Sequence, residues 1–77
     1  IRHPYCLIPG MKVTINGQSQ DLPDEAISLS RLVERLGFGA IPVLIEQNGE
    51  AILRREFDAQ NVSEGDVIEV IRMVAGG

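Results

Sequence analysis

Val67-Ile68-Glu69-Val70-Ile71-Arg72-Met73-Val74 lies close to the end of this 77-residue chain and is its longest strand candidate. The turn sequence Ser63-Glu64-Gly65-Asp66 leads into it, so the strand has a defined start. Strand alternation sends Ile68 and Val70 to one face and Val67, Glu69, Ile71 and Met73 to the other. A strand this apolar needs neighbours on both edges and a layer over its inner face, and the rest of the chain must supply them.

Reading back towards the start, Met11-Lys12-Val13-Thr14-Ile15 alternates as a half-buried strand, and Asn16-Gly17 is a two-residue hairpin turn. Gln18 to Leu22 is the returning strand, closed by Pro23-Asp24. Ser28 caps a helix in which Leu29, Leu32, Val33 and Leu36 fall at i, i+3, i+4 and i+7, with Ile27 placed to staple against Leu32 and Gly37 to stop it. Ile41 to Glu46 reads as a strand, Asn48-Gly49 as a second tight turn and Ala51 to Leu53 as a short strand. Arg54 to Asn61 reads as an irregular crossing anchored by Phe57. One amphipathic helix covers one face of one small sheet, and the long crossover lets the first strand pair in parallel with the last. The expected fold is α+β: a β-grasp with a mixed sheet of four to five strands and one main helix packed on one face.

Composition agrees with that solution. Hydrophobic residues make up 44% of the chain but aromatics only 4%, so the core must be built from Ile, Val and Leu. At this length there is one domain, taken to span residues 11–77. Residues 1–10 hold Pro4 and Pro9 and no sustained period, and are read as an N-terminal extension, disordered or added to the natural domain. Seven basic against eleven acidic residues give a net charge of −4 without a basic patch, which disfavours nucleic acid and anionic membranes. One cysteine, Cys6, excludes an internal disulfide, and no apolar run is long enough to span a bilayer; the chain is expected in the cytoplasm.

Conventional catalytic and metal-binding patterns are nearly absent. His3 and Cys6 make at most half a metal site, and the acidic pairs Asp24/Glu25 and Glu64/Asp66 sit in turns where capping and solvation explain them. Gly37-Phe38-Gly39 follows a helix and so lacks the geometry of a phosphate loop. What remains is Gly76-Gly77 after the last strand, a combination reached by chance in about 0.5% of chains. A frayed tail accounts for it without chemistry. Alternatively, an extended tail without side chains threads a narrow channel and presents an α-carboxylate for activation by another protein.

Met11 to Gly17, Leu29 to Gly37, Val43 to Gly49 and above all Glu64-Gly65-Asp66-Val67-Ile68-Glu69-Val70-Ile71-Arg72-Met73-Val74-Ala75-Gly76-Gly77 resemble the ThiS family, the ubiquitin-like sulfur carriers of thiamine thiazole biosynthesis. The resemblance implies a protein co-substrate, not an enzyme. Gly77 would be adenylated by a ThiF-type, E1-like adenylyltransferase using ATP and Mg²⁺. It would then be converted to a thiocarboxylate with sulfur from a cysteine desulfurase, and used by a ThiG-type thiazole synthase. Val74, Ala75 and Gly76 would thread into the partner, no metal or cofactor being bound by the carrier itself. Sulfur carriers of molybdopterin, cysteine or methionine synthesis share the fold and diglycine end, as do ubiquitin-like protein modifiers, and these remain alternatives. Leu44, Ile71 and Met73, with Glu46 and Glu69 beside them, share the face turned away from the helix and are expected to dock partners, the carboxylates steering towards a basic surface.

Overall fold

The computed structural model describes residues 10–24 and 26–73. The chain forms β1 (Met11–Ile15), β2 (Gln18–Leu22), β3 (Ile27–Ser28), α1 (Leu29–Arg35), β4 (Val43–Gln47), β5 (Glu50–Ile52), a 3₁₀ turn at Arg54–Glu56, β6 (Asn61–Val62) and β7 (Val67–Arg72). β1, β2, β4, β5 and β7 make one mixed sheet in the order β2-β1-β7-β4-β5, with α1 as the second layer. This is the ubiquitin-like β-grasp expected from the sequence.

Each hairpin turn is set by its Asn-Gly pair. Asn16 and Gly17 have φ of 51° and 83°, Asn48 and Gly49 53° and 85°, the left-handed pair that lets a two-residue loop follow the twist of its strands. α1 begins where the Ser28 hydroxyl accepts the Arg31 N–H at 3.2 Å. It ends where Gly37, at φ 93°, donates to the Glu34 carbonyl and Phe38 to the Val33 carbonyl, both at 3.0 Å. That is a Schellman stop, with Phe38 folded back against the core. Leu29, Leu32 and Val33 of α1 share one buried core with Val13, Ile45, Ile68 and Val70 of the sheet, together with Ile27 and Phe57.

The differences from the sequence reading lie at element edges. β4 starts at Val43 because Ile41 turns its N–H onto the Phe38 carbonyl at 2.8 Å and Pro42 has no N–H to give a ladder. β7 ends at Arg72 among the described residues, and Val74, the end read from the sequence, lies outside them. A second sheet of two short strands was not anticipated: β3 and β6 pair antiparallel, Ile27 opposite Val62 and Ser28 opposite Asn61. It carries the crossing segment onto the start of α1, where the Gln60 and Phe57 carbonyls accept the Leu29 and Ser30 N–H groups that no helical turn can satisfy.

The parallel pairing of β1 with β7 is short, Thr14 opposite Val67 and Ile15 opposite Ile68. Asn16 extends it: its backbone N–H donates to the Ile68 carbonyl at 2.9 Å and its side-chain oxygen accepts the Val70 N–H at 2.8 Å. Asn16→Gly keeps a residue that tolerates positive φ but removes this acceptor. Stability should fall by about 1 kcal/mol, read as a lower urea midpoint at unchanged slope. An unchanged midpoint would show that water replaces the side chain without loss.

Candidate functional site

β7 decides which residues face outward. Ile68 and Val70 are buried against the helix layer, and the alternate positions Val67, Glu69 and Ile71 are exposed on the opposite side. β4 runs antiparallel beside it with Leu44 opposite Ile71 and Glu46 opposite Glu69. Leu44, Ile71 and Met73 are 42%, 47% and 52% exposed, too open to be core and together large enough to form a patch. Sheet pairing thus gathers Leu44, Glu46, Glu69 and Ile71 on one face, with the exposed Met73 just past the end of β7, although Leu44 and Ile71 lie far apart along the chain. The Met73 N–H donates to the Pro42 carbonyl at 3.0 Å, which fixes the chain at the edge of that patch. Val74, Ala75, Gly76 and Gly77 follow and lie outside the described residues, as do His3 and Cys6.

A polar knot holds the other end of β7, and sequence reasoning missed it. Asp66 and Gln47 are the buried polar residues of the described chain. The Asp66 carboxylate accepts the Gln47 side-chain N–H at 2.7 Å, the Ser63 backbone N–H at 2.8 Å and the Asn48 side-chain N–H at 3.0 Å. Gln47 also donates to the Asn61 carbonyl and accepts from Gln60 at 2.9 Å, while the Asn48 oxygen accepts the Val67 N–H at 2.9 Å. Burial alone would raise the Asp66 pKa, but the three donors together outweigh it and hold the carboxyl below its ordinary value. Asp66 therefore caps its turn, as its context suggested, but is buried and not solvated, whereas Glu64 is a turn acceptor, taking the Lys12 backbone N–H at 2.8 Å. A signal was present: Gln47 is in phase with Val43 and Ile45, and Asp66 with Ile68 and Val70, so alternation already turned both inward.

Elsewhere the described residues place little on the surface that could do chemistry. The Arg35 guanidinium, hydrogen bonded to Asp24, holds that carboxyl below its usual range and ties the β2–β3 connection to α1. An open groove of about 270 Å³ between α1 and the 3₁₀ turn is lined by Ser30, Val33, Glu34, Gly39, Arg54, Phe57 and Asp58, with Ser30 hydrogen bonded to Asp58. Among the described residues its lining holds no histidine or cysteine. Among the described residues no group of three or more His, Cys, Asp or Glu side chains could hold a metal ion. No helix among them is long and apolar enough to cross a membrane.

The model of the ThiS family matches residues 7–77, starting ahead of Met11 and running through Gly77. The chain belongs to the ThiS family. It is thus a ubiquitin-like sulfur carrier protein. Among solved structures it is similar to a crystal structure of the thiamine biosynthesis protein ThiS from Geobacter metallireducens. The two share 32% identity over 87% of this chain and 100% of that one, with a TM-score of 0.77. It is also similar to an NMR solution structure of a thiamine biosynthesis protein from the same organism, at 33% identity over 87% and 88% of the two chains and a TM-score of 0.72. No curated protein matches it closely enough to count as a relative.

Proposed function

We propose that this chain carries sulfur for thiamine biosynthesis as a thiocarboxylate on Gly77. The observation that carries the proposal is the ThiS family match through Gly76-Gly77. A ThiF-type adenylyltransferase holds ATP and Mg²⁺; an oxygen of the Gly77 carboxylate attacks the α-phosphorus and displaces pyrophosphate. The acyl adenylate is the electrophile that a free carboxylate is not. A persulfide sulfur supplied by a cysteine desulfurase displaces AMP, and a second thiol then attacks the cysteine-side sulfur of the resulting acyl disulfide, forming a new disulfide and releasing the thiocarboxylate. A ThiG-type thiazole synthase takes that sulfur. Val74, Ala75 and Gly76 span from the anchored Met73 to the reacting carbon with little side-chain bulk, while Leu44, Ile71 and Met73 form the surface on which the partner rests. The carrier supplies an acyl group and a docking face and has no active site of its own. Its place of action is the cytoplasm, where ATP and reduced thiols are maintained.

Intact mass spectrometry after incubation with ATP, Mg²⁺, a ThiF-type adenylyltransferase, a cysteine desulfurase and cysteine tests this reading. Sulfur replacing one oxygen at Gly77 is the expected result. A ladder of conjugates would instead assign a protein modifier, and an unchanged mass would sink the proposal. Transfer from the loaded carrier to a thiazole synthase separates thiamine synthesis from the other sulfur pathways. Cys6→Ser should load like the native chain, since the chemistry runs through Gly77; loss of loading in that variant would return the sulfur to the thiol.

A further inference from the structure

The register of β4 on β7 sets Glu46 directly opposite Glu69, an arrangement that costs stability in a free sheet. Directly opposed residues of an antiparallel pair have Cα atoms only about 5 Å apart, so the two side chains leave the same face side by side. Among the described residues neither has a cation within ion-pair distance: Lys12 faces Asp21 across β1 and β2 at 3.5 Å, and Arg35 is held by Asp24. Glu46 has Ala51 as its neighbour on β5, so a methyl group is all that stands on that side. Along the strands, the next pair on the same face is Leu44 with Ile71, both exposed.

We propose that the Glu46–Glu69 pair is a slot for one arginine side chain of the protein partner. Its guanidinium lies between the two carboxylates and its methylene stem rests on Leu44 and Ile71. Two carboxylates side by side offer four oxygens to a planar fork of N–H donors, which an ammonium matches less well. The apolar pair covers the stem and excludes water from the contact. A second copy of this chain does not fit the slot. In a twofold contact the same patch meets itself and sets carboxylates against carboxylates, in a molecule of net charge −4. The inference rests on the sulfur-carrier reading above, which supplies the partner: the activating adenylyltransferase.

Calorimetric titration of the full chain into a ThiF-type adenylyltransferase, over a series of salt concentrations, tests it. The double variant Glu46→Gln, Glu69→Gln should bind about tenfold or more weakly and lose most of the salt dependence. Its own thermal midpoint should rise, because the repulsion across the strands is gone. Tighter folding with weaker binding is a combination that a merely structural role for the pair would not produce. Leu44→Ser should weaken binding while keeping the salt dependence. Equal affinity of the double variant and the native chain overturns the slot while leaving the carrier reading intact. A native chain that fails to bind the enzyme and to take up sulfur overturns both. Self-association that Leu44→Ser abolishes would assign the face to a second copy and overturn the arginine slot.

Discussion

A chain carrying one extra residue after Gly77 will take up no sulfur while folding as before. The extra peptide unit turns the Gly77 carboxylate into an amide, whose carbonyl does not attack ATP, and moves the free carboxylate by about 3.5 Å. Displacements of about 1 Å at a reacting centre already cost on the order of a hundredfold in rate, so loading should fall below detection. The fold should be unaffected, because the described sheet closes at Arg72 and Met73, ahead of the tail. Intact mass reports the loading and circular dichroism the fold. A tailed chain that still acquires sulfur would place the acceptor elsewhere than Gly77.

Replacing Asp66 is expected to have the largest effect on stability. Asp66→Ala leaves the Ser63 N–H and the Asn48 side-chain N–H without their acceptor and takes one acceptor from Gln47, all around a buried position. Hydrogen bonds to a charged group and the desolvation of abandoned donors put the cost at about 3 kcal/mol. That is a large share of the roughly 5 kcal/mol available to a domain of this size. Asp66→Asn keeps the volume but turns one of its atoms into a donor facing donors, and should lose a smaller part of the same amount.

The pH dependence carries the sign of the interaction. The folded carboxyl of Asp66 titrates below its unfolded value of about 3.9, so its contribution is complete above that value and is lost as pH falls through the lower, folded one. Native protein should weaken in acid below about pH 4, and Asp66→Asn should show a shallower decline. What slope remains in the variant comes in part from Asp24, lowered by its bond to Arg35. Urea midpoints between neutral and acid pH measure both. A variant as acid-sensitive as the native chain would remove Asp66 from the explanation.

Much of the fold was legible because its signals are local. The two Asn-Gly pairs specify their turns through left-handed dihedrals that few residues accept, and both hairpins stand where those pairs fall. Leu29, Leu32 and Val33 mark the buried stripe of α1, and Ser28 and Gly37 its ends. The alternation of β7 put Ile68 and Val70 inside and Ile71 outside, as they are. β3 and β6 were illegible because two residues carry no period, and each forms only when the other is brought to it.

From the sequence alone came the five strands of the main sheet and the helix, the inward and outward apolar positions of β7, the parallel union of first and last strands and the family resemblance through Gly77. These follow from periodicity and turn chemistry within a few residues, or from the order in which the elements occur. The tertiary structure alone decided which distant residues stand opposite one another. It set Leu44 against Ile71, Glu46 against Glu69, and Asp66 within reach of Gln47, Asn48 and Ser63. Strand register has no local code: sliding β4 along β7 by two residues would keep every side chain on its face and change every partner. The choice among such registers is made by how the whole core closes, with Gln47 and Asp66 buried where each completes the other's hydrogen bonds.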